Sequence, residues 1–208
     1  IPQNKLVQTG LTYIYGIGDK FSKQICSSLA IPKEKRVNQN FYLIKNEKSR
    51  FDALKLILFY SLPKSTIVFC ETKKEVQDVA NNLIDLGLSA SPLHGDLDQK
   101  DRDQTLLCFS NNSLSILVAT DLAARGIDVS SLSAVFNYKL ARDVNSHIHR
   151  IGRTGRAGRK GEAILFVSQR EKRMLASIEK ATRKKIAAMA LPSTELVNSQ
   201  RIAKFKQK

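Results

Sequence analysis

The sequence predicts an α/β fold built on a parallel sheet with helices on both faces. Three observations carry this. From residue 41 onward, short apolar runs alternate with segments of helical spacing. The runs "STIVFC" (65–70) and "LSILVA" (114–119) are continuously apolar and rich in β-branched residues, the mark of strands buried on both faces. Helix-start signals follow strands directly, as in Thr72-Lys73-Lys74-Glu75, where a Thr hydroxyl and a Glu three residues later are placed to cap a helix N-terminus.

The elements follow in order. "FYLIK" (41–45) is a short strand and "KSRFDALKLILFY" (48–60) a helix. "STIVFC" leads into a helix with one face of Val76, Val79, Ala80 and Leu83, ended by Gly87. "SASPL" (89–93) is a strand and "DQKDRDQTLLCFS" (98–110) a helix. After "LSILVA", the run "SAVFNY" (133–138) is a strand. A helix capped by Asp143 then starts at Val144 and is expected to run to about Thr154. "EAILFVS" (162–168) is a strand and "REKRMLASIEKATRKK" (170–185) a basic helix. The ends are less patterned. Residues 19–30 form a candidate helix, and residues 190–208 read as a loop followed by an exposed basic helix.

The bulk composition narrows the function classes. The chain has 208 residues, is 42% hydrophobic and 25% charged, and carries net charge +15. Residues 141–208 alone hold 17 basic against 5 acidic side chains, a net of +12. Such a surface suits a polyanion, or else is a solvated face that keeps the protein soluble. No apolar run reaches the ~18 residues of a membrane span, and residues 1–16 do not read as a signal peptide. Cys26, Cys70 and Cys108 are odd in number and far apart, and read as small apolar residues of a reducing, cytoplasmic compartment. His94, His147 and His149 lack metal-ligand spacing.

In parallel α/β sheets, ligands bind beyond the carboxyl ends of the strands. The stretches there are "ETKKE" (71–75), "HGDLDQ" (94–99), "TDLAARGID" (120–128) and "KLARD" (139–143). The last leads into "HRIGRTGRAGRKG" (149–161), where Arg150, Arg153, Arg156 and Arg159 alternate with glycines. Arginine is a rigid fork of donors suited to phosphate oxygens, and glycine admits tight turns and close approach. By itself the stretch reads equally as an exposed surface loop. Asp121 is placed either to meet a ligand or to cap a helix, and Asp128 to accept ribose hydroxyls. Gly95 precedes a helix N-terminus, a place that binds phosphate, with Gln99 and Arg102 on its first turn.

Together these stretches resemble the motifs of the second RecA-like domain of DEAD-box RNA helicases. "HRIGRTGR" (149–156) matches motif VI, with His149 the DEAD-box form. "VATDLAARGID" (118–128) matches motif V, "IVFCETKKE" (67–75) motif IV, and Gln99 to Arg102 the QxxR motif. The resemblance covers roughly residues 40–185 and points to the bacterial DbpA and cold-shock types. It implies a RecA-like domain at 41–185, with 1–40 a remnant of a preceding domain or linker and 186–208 a basic extension.

The resemblance also implies roles. Arg153 and Arg156 match the arginine fingers on the ATP γ-phosphate, and Asp128 the ribose-binding carboxylate. Gly95, Gln99, Arg102, Thr120 and Gly126 match positions along the RNA backbone. Arg125, His149 and Arg150 match positions that couple the RNA and ATP sites. No GxxxxGK[ST] P-loop, DEAD tetrad or Ser-Ala-Thr motif occurs in the sequence. The implied Mg²⁺–ATP would therefore be held largely by a first RecA-like domain, with this chain as one half of a composite site. Alone it is expected to be inactive as an ATPase. The implied partners are single-stranded or structured RNA and that first domain, with no membrane. The rival reading is a stand-alone, non-catalytic RNA-binding or regulatory module.

Overall fold

In a computed structural model, residues 37–61, 63–124, 132–155 and 160–205 are described. Seven strands form one all-parallel sheet in the order β3-β4-β2-β5-β6-β1-β7. The strands are β1 (Val37–Ile44), β2 (Thr66–Phe69), β3 (Ala90–Leu93), β4 (Ile116–Ala119), β5 (Ala134–Asn137), β6 (Gly161–Ser168) and β7 (Ala187–Met189). The helices are α1 (Glu47–Ser61), α2 (Lys73–Asp85), α3 (Gln99–Ser110), α4 (Val144–Ile151), α5 (Lys172–Thr182) and α6 (Thr194–Phe205). The candidate helix at 19–30 lies outside the described residues.

The central strands β2, β4 and β5 are buried at every position, as their unbroken apolar runs require. Alternate residues feed two layers. On one face Val68, Val118, Phe136 and Phe166 pack with Leu54 and Leu58 of α1 and Val76, Val79 and Leu83 of α2. On the other face Ile67, Phe69 and Leu117 pack with Phe109 of α3, while Leu165 and Val167 pack with Leu175 and Ile178 of α5. Helices thus cover both faces.

Caps fix where helices begin beyond the strand ends. The Thr72 hydroxyl accepts from the Glu75 N–H at 3.1 Å, and the Glu75 carboxylate accepts from the Glu71 N–H at 2.8 Å. Asp98 and Asp143 each accept a backbone N–H three residues on, both at 2.8 Å. The Asp143 carboxyl lies below the usual carboxylate range because the Ser146 N–H and hydroxyl stabilise its charge. Gly87, at φ +75°, ends α2 as its position predicts.

The structure corrects two boundaries and adds a strand. Helix α4 stops at Ile151 with Gly152 as its C-cap, short of Thr154. Thr154 is instead fully buried, its hydroxyl donating to the Leu132 carbonyl. Strand β1 starts at Val37, four residues before the apolar run, because "VNQN" pairs in register with the first half of β6. A seventh strand, β7, pairs with β1 at the sheet edge. Its three exposed residues carry no buried pattern for sequence reading to find.

Candidate functional site

All seven strands run the same way, so their carboxyl ends share one edge. Arg150 organises its middle. It is 3% exposed, on the last turn of α4, and its guanidinium lies 5.0 Å over the Phe69 ring at the end of β2. From there it reaches the two strands that flank β2. Toward β4 it makes a two-point pair with Asp121, Nε to Oδ1 at 2.6 Å and Nη2 to Oδ2 at 2.8 Å. Toward β5 its Nη1 donates to Asn137 Oδ1 at 3.0 Å and the Lys139 carbonyl at 2.6 Å. Asp121 is therefore neither a helix cap nor a free carboxylate. Residues 121–124 form a turn, and Asp121 is the buried arginine's counter-ion.

That turn is closed by Thr120, whose hydroxyl accepts from the Ala123 N–H at 3.3 Å and whose carbonyl accepts from the Ala124 N–H at 3.0 Å. Arg102, half-buried on α3, donates Nη2 to the Ala123 carbonyl at 2.8 Å. Gln99 is exposed, and its amide donates to Asp103 at 2.7 Å. Gly95 is exposed. A methyl group there would meet only Lys73 Cε, at 3.8 Å, so local packing does not demand glycine. Lys73, at the start of α2, forms an ion pair with Asp96 and so joins the starts of α2 and α3.

Arg153 follows α4 directly and is half-buried. Its N–H donates to the Arg150 carbonyl at 3.1 Å, and its carbonyl accepts from the Leu132 N–H at 3.4 Å. His149 is exposed on α4. Two of the interleaved glycines have backbone reasons. Gly155 sits at φ +66°, and a Cβ on Gly161 would collide with Thr154 Oγ1 and the Gly155 backbone. Arg125, Gly126, Asp128 and Arg156 lie outside the described residues. The described part of the site thus gathers Thr120, Arg102 and Arg150 around one turn, has Arg153 bonded to the Arg150 carbonyl just beyond α4, and leaves Gly95 and Gln99 further along the same edge.

Sequence reading missed two buried polar groups. Arg50, 1% exposed on α1, donates to the carbonyls of Tyr138 and Phe166 at 2.6 and 2.9 Å and pairs with Glu171 at 2.8 Å. The carbonyls of Tyr138 and Lys139 are thus each held by a buried arginine, Arg50 and Arg150. His147 is fully buried with its Nε2 3.1 Å from Gln39 Oε1, and burial followed by the Arg150 charge pushes it down to about 4. Arg50 shares its helix with Glu47, Lys48, Asp52 and Lys55, so nothing local distinguished it, and nothing local distinguished His147.

Residues 49–158 match the family model of the helicase conserved C-terminal domain. The chain belongs to this family, in its DEAD-box branch. It is 44% identical over 157 residues to the DEAD-box ATP-dependent RNA helicase CshA of Bacillus cereus, covering 76% of this chain and 30% of that protein. It is 47% identical over 153 residues to the ATP-dependent RNA helicase DbpA of Escherichia coli, covering 74% of this chain and 33% of that protein. The solved structure of the C-terminal domain of the DEAD-box protein Dbp5 superposes with TM-score 0.72 at 33% identity, over 81% of this chain and 98% of that one. The chain spans about 30% of the length of the curated relatives that it matches. It is a C-terminal helicase domain with the RecA-like fold of the DEAD-box proteins. No helix among the described residues is long and apolar enough to cross a membrane.

Proposed function

We propose that this domain is the C-terminal half of an ATP-dependent RNA helicase, supplying RNA-backbone contacts and arginine fingers to a site shared with a first RecA-like domain. The observation that carries the reading is the Arg150 bridge. One buried guanidinium links the turn after β4, which Arg102 braces from the candidate RNA edge, to the helix end that carries Arg153. A pure RNA-binding surface needs no such connection to a phosphate-seeking arginine at the helix end.

In this reading Mg²⁺–ATP binds mainly to the first domain, whose P-loop and acidic side chains would hold the phosphates and the metal. Arg153 and Arg156 meet the γ-phosphate from this side, and Asp128 meets the ribose. Gly95, Gln99, Arg102, Thr120 and Gly126 line the RNA backbone. Arg125, His149 and Arg150 couple the two ligands. The chain's own groups supply charge and orientation, stabilising negative charge on the transferring phosphoryl group without taking up a proton. Because contacts to RNA run through phosphates, the domain would bind single-stranded RNA with little base preference.

The test joins this domain to its P-loop domain. Arg153→Lys and Arg156→Lys are expected to cut RNA-dependent ATP hydrolysis by on the order of 10³-fold or more, as lost arginine fingers do, since Lys lacks the planar fork. RNA affinity without nucleotide should hardly change, and Arg159→Lys should be nearly silent. Equal, modest losses of RNA affinity in the Arg153 and Arg159 variants, with normal ATPase in both, would show a diffuse basic patch instead.

A further inference from the structure

Arg102 makes a contact that a plain phosphate ligand does not need. Its Nη2 donates to the Ala123 carbonyl, 2.8 Å away, across the gap between α3 and the turn after β4. That turn is built tightly. Ala123 and Ala124 are each 2% exposed, and both of their N–H groups are taken by Thr120. The same turn carries Asp121, whose two oxygens are both occupied by Arg150. The Arg150 carbonyl in turn accepts the N–H of Arg153. Hydrogen bonds joined through the backbone of the turn and of α4 therefore connect α3 to the end of α4, with Arg102 as the outermost member.

From this geometry we infer that Arg102 is a positioning residue for the nucleotide-facing end of α4, beyond any contact that it makes with RNA. The inference rests on the RNA-and-ATP reading above. A guanidinium has five N–H donors in one rigid plane, and the Ala123 carbonyl uses one edge of it. The residue is half-buried, and Nη2 to Ala123 is its one side-chain hydrogen bond among the described residues, which leaves Nε and Nη1 for a ligand. A backbone phosphate on the open edge fixes the plane and, with it, the direction of the bond to Ala123. RNA binding thereby narrows the range of positions open to the turn, to Asp121 and to Arg150. The ligand chemistry is a phosphodiester held by one planar cation that also holds a protein carbonyl. Lysine is a point charge on a flexible stem. It can face the phosphate or the carbonyl, but cannot hold both in a fixed relation.

Two measurements test this. In the free chain, Arg102→Met removes the donor while keeping an unbranched side chain. Amide exchange at Ala124 should then accelerate about fivefold, the loss of roughly one ordinary hydrogen bond, while exchange at Val79 in α2 stays unchanged. Unchanged exchange at Ala124 overturns the inference. In the full-length protein carrying its P-loop domain, Arg102→Lys is tested with a ten-nucleotide oligo-uridine RNA raised to saturation, so that weaker RNA binding does not enter the readout. Its ATPase kcat at saturating RNA should fall at least tenfold. A normal kcat with weakened RNA affinity would make Arg102 a simple phosphate contact and overturn the inference. Absence of RNA-stimulated turnover in the unmodified protein overturns the functional reading itself, and the inference with it. That failure appears in the wild type and not in the variants, so the two are told apart.

Discussion

Replacing Arg150 by alanine should be among the most damaging single changes in the described domain. The side chain makes four hydrogen bonds, two to Asp121 and one each to Asn137 and the Lys139 carbonyl. It also covers the Phe69 ring. Truncation leaves the fully buried Asn137 amide without its Arg150 bond, and Asp121 without its counter-ion. Breaking a buried pair by removing one partner costs about 3–5 kcal/mol. Asp121 is 37% exposed and can recover some hydration, which places the expected loss near the lower end of that range. A loss of ~3 kcal/mol corresponds to a fall in Tm of roughly 6–12 °C for a domain of this size. The assay is urea unfolding of the purified chain, read as a lower midpoint at constant m. Arg150→Lys should fall between alanine and wild type, because it keeps the charge but not the two-point pair. Arg170→Ala, an exposed arginine, serves as the reference and should stay within about 0.5 kcal/mol. A loss below 1 kcal/mol for Arg150→Ala would refute the claim that this guanidinium holds the sheet edge together.

His147 gives a pH dependence. Its folded value of about 4 lies below the ordinary 6.5, so the unfolded chain binds the extra proton first and stability falls as pH drops from about 6.5 to 4. The gap corresponds to a contribution of up to about 3 kcal/mol, and His147→Asn should flatten that part of the urea-midpoint profile. Gly161→Ala should destabilise by at least ~1–3 kcal/mol, because its new methyl group meets the Thr154 hydroxyl and the Gly155 backbone; a wild-type midpoint would disprove the close approach. For the isolated chain, log K for single-stranded RNA should fall with log salt at a slope of about −0.7 per phosphate neutralised, and Arg102→Ala should weaken all sequences alike. Tight binding that ignores salt would point to base recognition instead.

The sheet and its helices were legible because burial on both faces leaves continuous apolar runs, and because Thr72, Asp98 and Asp143 sit where caps must sit. The edge on which the site lies followed from parallel topology alone. What escaped reading was every feature set by distant pairing. The polar "VNQN" joins β1 because β6 lies beside it 124 positions on. Asp121 looked like a cap because its true partner is 29 residues away. Thr154 looked helical because the carbonyl that captures its hydroxyl belongs to Leu132. Arg50 gave no sequence signal because the carbonyls that hold it, of Tyr138 and Phe166, lie 88 and 116 residues along the chain.

The sheet order also bears on how the domain is made. Strand β1 has two neighbours, β6 and β7, and both come near the end of the described chain. Val37 pairs with Gly161, so β1 leaves the ribosome 124 residues before its first partner residue. At about 5–20 residues per second that is a wait of roughly 6–25 s. During it β2, β3, β4 and β5 emerge in turn and can pair with one another, while "VNQNFYLI" has no strand beside it. The polar first half of β1 makes that interval safer, since a segment alternating Asn and Gln with few apolar residues is a poor nucleus for hydrophobic collapse. The consequence is a sheet that closes last at the first of its described strands.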